Sequence, residues 1–75
     1  MEITEFITKF KGQLENSNVE ILPETNYSAE PFWDSLTAMV IKVMIEDDYN
    51  VDVAPENMNK FKSISELFDY IKLQQ

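Results

Sequence analysis

The chain has 75 residues, with 44% apolar residues, nine aromatics, no cysteine, no histidine and a net charge of −8. Disulfides, thiolate metal sites and the usual neutral-pH base are therefore excluded, and six lysines against fourteen acids argue against a nucleic-acid partner. The apolar content is too high for a disordered acidic tail, and one glycine with three prolines does not suit a turn-rich β-domain.

In the first segment, Glu2 to Glu15, apolar residues fall at Ile3, Phe6, Ile7, Phe10 and Leu14, one stripe of an amphipathic helix. Gly12 weakens that helix, and Asn16-Ser17-Asn18 reads as its stop. Met1 precedes Glu2 and Glu5, not a basic stretch with an apolar run, so no signal peptide is expected and the default compartment is the cytoplasm.

Residues 17–33 carry Pro23, Pro31 and several turn formers but no long periodicity. They read as a long loop pinned to the core by Val19, Ile21, Leu22, Tyr27, Phe32 and Trp33, with a short strand at Val19–Leu22 as the weaker alternative. Loops longer than about 12 residues are uncommon and often functional.

The second helix is expected over Asp34–Tyr49, with Asp34 as its N-cap. Leu36, Ala38, Met39, Val40, Ile41, Val43, Met44 and Ile45 cover most of its circumference, leaving Ser35, Lys42 and Glu46 as a narrow polar stripe. Such a helix is buried on nearly all sides or leaves apolar surface open, and complete burial is hard in so small a bundle. Its longest uninterrupted apolar run, Ala38–Ile41, is far short of the ~20 residues that span a bilayer, so no membrane partner is expected. Asp47-Asp48-Tyr49-Asn50 ends the helix with acids that oppose its dipole.

After a connector holding Val51 and Val53, Pro55 suits the first position of a short third helix to about Lys60, with Met58 and Phe61 turned inward. Ser63-Ile64-Ser65-Glu66 matches a capping box and opens a last helix with Ile64, Leu67, Phe68 and Ile71 in one stripe. The expected fold is all-α, a small four-helix bundle of three main helices and one short one, with a long loop between the first two and a single domain over 1–75. No internal repeat is evident.

The charge is uneven: residues 20–52 hold eight acids and only Lys42, for −7 of the total −8. An acidic field beside surplus apolar surface describes a docking face for a basic, partly apolar groove, while a plain solvated acidic face fits the charge equally well.

The stretch Trp33-Asp34-Ser35-Leu36-Thr37-Ala38 opens the second helix after the long loop. The acidic run Glu46-Asp47-Asp48-Tyr49, a connector with Val53 and Pro55, and Ser63–Ile71 follow. This arrangement resembles an acyl carrier protein, in particular free-standing bacterial members with a W-D-S-L-T-A helix start, and covers about Ile3 to Lys72. The resemblance implies a carrier, not an enzyme, with 4′-phosphopantetheine esterified to Ser35 by a phosphopantetheinyl transferase (holo-carrier-protein synthase) using coenzyme A. Asp34 and Leu36 would flank the attachment site. Asp34, Leu36, Met39, Val43, Glu46 and Asp47 would meet partner enzymes with basic docking surfaces, from fatty-acid, polyketide or other acyl biosynthesis. Helix capping by Asp34, core packing by Leu36, Met39 and Val43, and plain solubility for Glu46 and Asp47 are the structural alternatives for those residues. The family's typical members carry acids where Thr37 and Val40 stand and an apolar residue where Lys42 stands, which fits a specialised carrier with dedicated partners. A monomer is expected. A peptidyl carrier lacks its usual G-G-x-S approach here, since Pro31-Phe32-Trp33-Asp34 precedes the serine. A non-carrier acidic adaptor that binds through the second helix is the alternative from another class.

Three weaker patterns carry little. Asp48-x-Asn50-x-Asp52 imitates a calcium loop, but Val53 stands where glycine is needed and Asn59 where glutamate is needed. Asn26-Tyr27-Ser28 fits a glycosylation site without a secretory signal, and Asp47 and Asp48 point 100° apart on a helix.

Overall fold

The computed structural model describes residues 2–15 and 18–75; the stop expected at Asn16-Ser17 lies outside the described residues. Four helices follow in order: α1 (Ile3–Gly12), α2 (Ser35–Tyr49), α3 (Pro55–Met58) and α4 (Ile64–Gln74). A single 3-10 turn, Tyr27–Ala29, interrupts the long first loop. α1 packs on α2 and α4, and α3 packs on α2. The described residues form three main helices and one short one with a long loop between the first two, as expected from the sequence.

The apolar stripes read from the sequence become the core. Phe6 and Phe10 from α1, Ile41, Met44 and Ile45 from α2, Met58 from α3, and Ile64, Leu67, Phe68 and Ile71 from α4 are buried together. An aromatic chain runs through them: Phe68 against Phe6 (centroids 5.5 Å), Phe6 against Phe10 (6.3 Å), and Phe10 against Tyr27 (5.6 Å) and Trp33 (6.2 Å, nearly parallel). Offset and edge-on rings at such separations add to the gain from burial.

Helix ends depart from expectation. α1 stops at Gly12, short of Glu15, because Gln13 and Leu14 donate to the Phe10 and Lys11 carbonyls in tighter i→i+3 bonds. The weaker expectation of a strand at Val19–Leu22 fails: Leu22 N–H donates to Thr25 Oγ1 and Thr25 N–H to the Leu22 carbonyl, so the segment turns, and no strand forms among the described residues. Leu22 is exposed and does not pin the loop, whereas Ile21 and Tyr27 are buried. α3 is one turn, ending at Met58, not Lys60, with Phe61 half-buried against Tyr70. α2 ends at Asn50 in the left-handed conformation (φ 59°), its N–H donating to the Glu46 carbonyl; asparagine tolerates this geometry and closes the helix.

The capping box at Ser63 forms in a shifted version. Ser63 Oγ accepts from Glu66 N–H at 3.1 Å, but the Glu66 carboxylate reaches back to Lys62 N–H, not to Ser63. The first loop completes the start of α4: the Thr25 carbonyl accepts from Ile64 N–H and the Pro23 carbonyl from Ser65 N–H at 2.8 Å. The opening amides of α4 are thus consumed by the protein itself.

Two tyrosines show opposite bookkeeping in the core. Tyr27 donates its hydroxyl to the Met58 carbonyl at 2.5 Å, and burial, reinforced by the Glu66 charge, pushes its ionisation far up. Tyr49 places its hydroxyl in the interior without any partner among the described residues, and burial raises its pKa as well. Tyr27→Phe is therefore expected to cost about 1–3 kcal/mol, leaving a buried carbonyl unpaired, while Tyr49→Phe is neutral or stabilising by up to about 1 kcal/mol. Urea denaturation of both variants checks the contrast.

Candidate functional site

The start of α2 follows from local hydrogen bonding. Asp34, extended and just before the helix, accepts Thr37 N–H on Oδ1 at 2.7 Å, and its carbonyl takes Ala38 N–H at 2.9 Å. Thr37 Oγ1 donates to the Phe32 carbonyl at 3.1 Å, and Trp33 N–H to the Glu30 carbonyl at 3.0 Å, so the entering chain is held on both sides of Asp34. The Thr37 amide and hydroxyl, with some help from Leu36 N–H, hold the Asp34 carboxyl below the ordinary aspartate range.

A depressed folded-state pKa gives stability that is present above the unfolded-state value and lost as pH falls through the folded one. Asp34→Ala is therefore expected to lower the thermal midpoint at neutral pH and to flatten its fall in acid. Asp34→Asn, which keeps an acceptor oxygen, should retain most of the midpoint while also flattening the acid limb. Thermal scans from neutral to strongly acidic pH would show both.

Ser35 is the first residue of α2 and is exposed. Neither its hydroxyl nor its amide has a hydrogen-bond partner among the described residues. This contrasts with α4, whose first amides are bonded by loop carbonyls. An unpaired amide at the positive end of a 15-residue helix suits a nearby phosphodiester. The neighbouring Asp34 carboxylate, although of the same sign, is already engaged with the Thr37 amide.

Beyond Ser35 the outer face of α2 is apolar and open. Leu36 is 73% exposed, Met39 48% and Val43 50%, so none of the three serves the core. The acids at the far end differ among themselves. Glu46 is paired with Lys42, and Lys42 also reaches Asp52 at 2.8 Å in the following connector. Asp52 first, then Glu46, raises the Lys42 pKa. Asp48 is 3.8 Å from Lys9 of α1. Asp47 has no ion pair among the described residues, so its charge is the uncompensated one in the run. The sequence placed Lys42 in a polar stripe but gave no sign of its partner ten residues on; the i,i+4 spacing to Glu46 was the only available signal.

The structure therefore brings Asp34, Ser35 and Leu36 together at one exposed helix mouth. Met39 and Val43 continue on the same face, with Glu46 and Asp47 at its end. Sequence reasoning missed Asn59, whose Oδ1 accepts from the Trp33 indole N–H at 2.6 Å just ahead of this mouth. Among the described residues no group of three or more acidic side chains converges as a metal site, and no helix is long and apolar enough to cross a membrane.

The chain is thus a small helical bundle whose second helix opens on an exposed, unbonded serine. The sequence profile of the family described as "Phosphopantetheine attachment site" matches residues 4–71, and the chain belongs to this family. Over 62 residues it is 29% identical to the acyl carrier protein of Syntrophus aciditrophicus (strain SB), covering 83% of this chain and 78% of that protein. Together the family and this relative support an acyl carrier protein, with 4′-phosphopantetheine as the family's prosthetic group. No solved structure matches the chain significantly.

Proposed function

We propose that Ser35 is the attachment residue and that the chain carries acyl groups as thioesters on a 4′-phosphopantetheine arm. The observation that carries this reading is the exposed, unbonded Ser35 hydroxyl at an open helix N-terminus, inside the span matched by the family. When bound, the group supplies the thiol that a chain without cysteine cannot.

In the attachment step the Ser35 Oγ attacks the pantetheine-side phosphorus of the coenzyme A pyrophosphate. A new O–P bond forms, the bond to the other phosphate breaks, 3′,5′-ADP leaves, and the serine proton passes to a base on the transferase. This chain presents the hydroxyl, and its unpaired Ser35 amide favours the charge placed beside it. It has no histidine, cysteine or arginine with which to catalyse the step itself.

The partners in this reading are a phosphopantetheinyl transferase and acyl-transferring or acyl-elongating enzymes. Leu36, Met39 and Val43 supply apolar contact, flanked by Asp34 at one end and Asp47 with Glu46 at the other. Much of the Glu46 charge is spent on Lys42, so Asp47 is the stronger lure for a basic surface. The uncharged middle of this face, with Thr37 and Val40 in place of acids, supports dedicated partners within fatty-acid, polyketide or other specialised acyl biosynthesis. Efficient elongation by general fatty-acid enzymes, at the rate of the host's housekeeping carrier, would remove the dedicated-partner part.

The test of the whole reading is direct. The apo protein is incubated with coenzyme A and a promiscuous transferase, and intact and peptide masses are recorded. The expected result is a gain of one phosphopantetheinyl group on the peptide containing Ser35. No gain, or a gain elsewhere, overturns it.

A further inference from the structure

The segment that delivers Ser35 is not tied only to α2. Two residues of the first loop end in polar tips that reach across to the same end of α3. The buried Tyr27 hydroxyl donates to the Met58 carbonyl, and the Trp33 indole N–H donates to Asn59 Oδ1 at 2.6 Å. Met58 is the last residue of α3 and Asn59 its C-cap. The Trp33 ring is itself gripped by the bundle, lying nearly parallel to Phe10 and edge-on to Tyr27 with centroids 4.7 Å apart. Trp33 stands two residues before Ser35 and is the chain's single tryptophan.

α3 has four residues, far too few to be stable by themselves, so its position depends on what it is fastened to. Its fastenings are α2, the buried Met58 side chain and these two bonds. The Tyr27 bond is buried and serves the core. The Trp33–Asn59 bond is exposed, contributes little to burial, and connects α3 directly to the chain entering the Ser35 turn.

We infer that the Trp33–Asn59 hydrogen bond is a positioning strap, which couples the docking of α3 to the presentation of the Ser35 hydroxyl. The inference rests on the reading of Ser35 as the attachment residue. With the strap closed, the free protein already holds the 30–34 segment in the arrangement a transferase must bind. With it open, that arrangement is one of several, and apparent affinity falls by the fraction of molecules that hold it. The bound complex is the same in both cases, so the effect lies in KM and not in kcat.

The conservative variants are Trp33→Phe, which keeps a ring against Phe10 but loses the N–H, and Asn59→Ala at the exposed end of α3. First, the single indole N–H resonance of the intact protein is followed by two-dimensional NMR. Asn59→Ala should move it clearly, and an unmoved resonance overturns the bond itself, whatever happens at Ser35. Second, modification kinetics with coenzyme A and transferase are measured for each variant. Each should raise KM for the carrier about three- to ten-fold, the factor that one hydrogen bond supports, with kcat unchanged. The double variant should be no worse than either single one, because both remove the same bond.

A wild type modified at Ser35 but variants with wild-type KM, or a double variant with multiplied effects, would overturn the strap and leave the attachment reading standing. A wild type that is not modified at Ser35 overturns the attachment reading, and the strap's role in presentation falls with it. Melting curves guard the comparison: a KM change that simply tracks loss of folded protein would also count against a positioning role.

Discussion

Ser35→Ala should remain folded with an unchanged thermal midpoint and should gain no mass with coenzyme A and transferase. The hydroxyl is exposed and bonds nothing among the described residues, so its removal leaves no orphaned partner and no cavity. Alanine also favours the helix at this position. The two outcomes must appear together, since a variant that lost modification by unfolding would say nothing about the oxygen. Ser35→Thr sharpens the result. It keeps a hydroxyl but adds a methyl to Cβ, the carbon that bears the attacking oxygen, and is expected to react much more slowly than wild type. Modification of the alanine variant at wild-type rate would move the attachment to another side chain.

Phe10→Ala should be the most damaging single change in the core. Phe10 is fully buried and touches Phe6, Tyr27 and Trp33, so it links α1 to the long loop. Truncating a buried phenylalanine costs about 3–5 kcal/mol. A 75-residue domain has a total stability of roughly 4–11 kcal/mol, so the variant should sit near or beyond its folding limit. Because the ring also lies against Trp33, tryptophan fluorescence should report a changed environment even in conditions that keep the variant folded. Denaturant titration followed by both circular dichroism and fluorescence tests this. A loss under about 1 kcal/mol would contradict the central place given to this ring.

The sequence made the main helices legible because their apolar residues recur with the helical period. Phe6 and Phe10, Ile41 and Ile45, and Leu67, Phe68 and Ile71 face inward as the stripes require. It also exposed the excess on α2: a helix apolar nearly all round cannot bury every side in a bundle this small, and Leu36, Met39 and Val43 are the surplus. Asp34 and Ser63 were recognisable as caps because capping is a local interaction, settled within three residues.

What escaped was long-range or conformational. The Tyr27–Met58 and Trp33–Asn59 bonds join residues 31 and 26 apart, and no local pattern encodes such a pairing. The 3-10 turn at Tyr27–Ala29 is too short to show a period. The left-handed Asn50 was visible in principle, since an asparagine directly after the last periodic residue is a known stop, but the acids beside it drew the reading toward charge. At the candidate site, the serine and its flanking acid stood out by resemblance. The pairing of Lys42 with Asp52, ten residues on, needed three dimensions.

The unequal treatment of the two capped helix starts has a consequence for chemoselectivity. Ser28, Ser63 and Ser65 are further serines in the described chain, and each is compromised as a decoy. Ser28 Oγ donates to Asn26 Oδ1, Ser63 Oγ accepts the Glu66 amide, and Ser65 sits where the Pro23 carbonyl has claimed the helix opening. Among the described serines, Ser35 is the one whose hydroxyl and amide are both without a hydrogen-bond partner. If Ser35 is the attachment residue, part of the discrimination among these serines lies in the loop carbonyls that close the opening of α4 and leave that of α2 free.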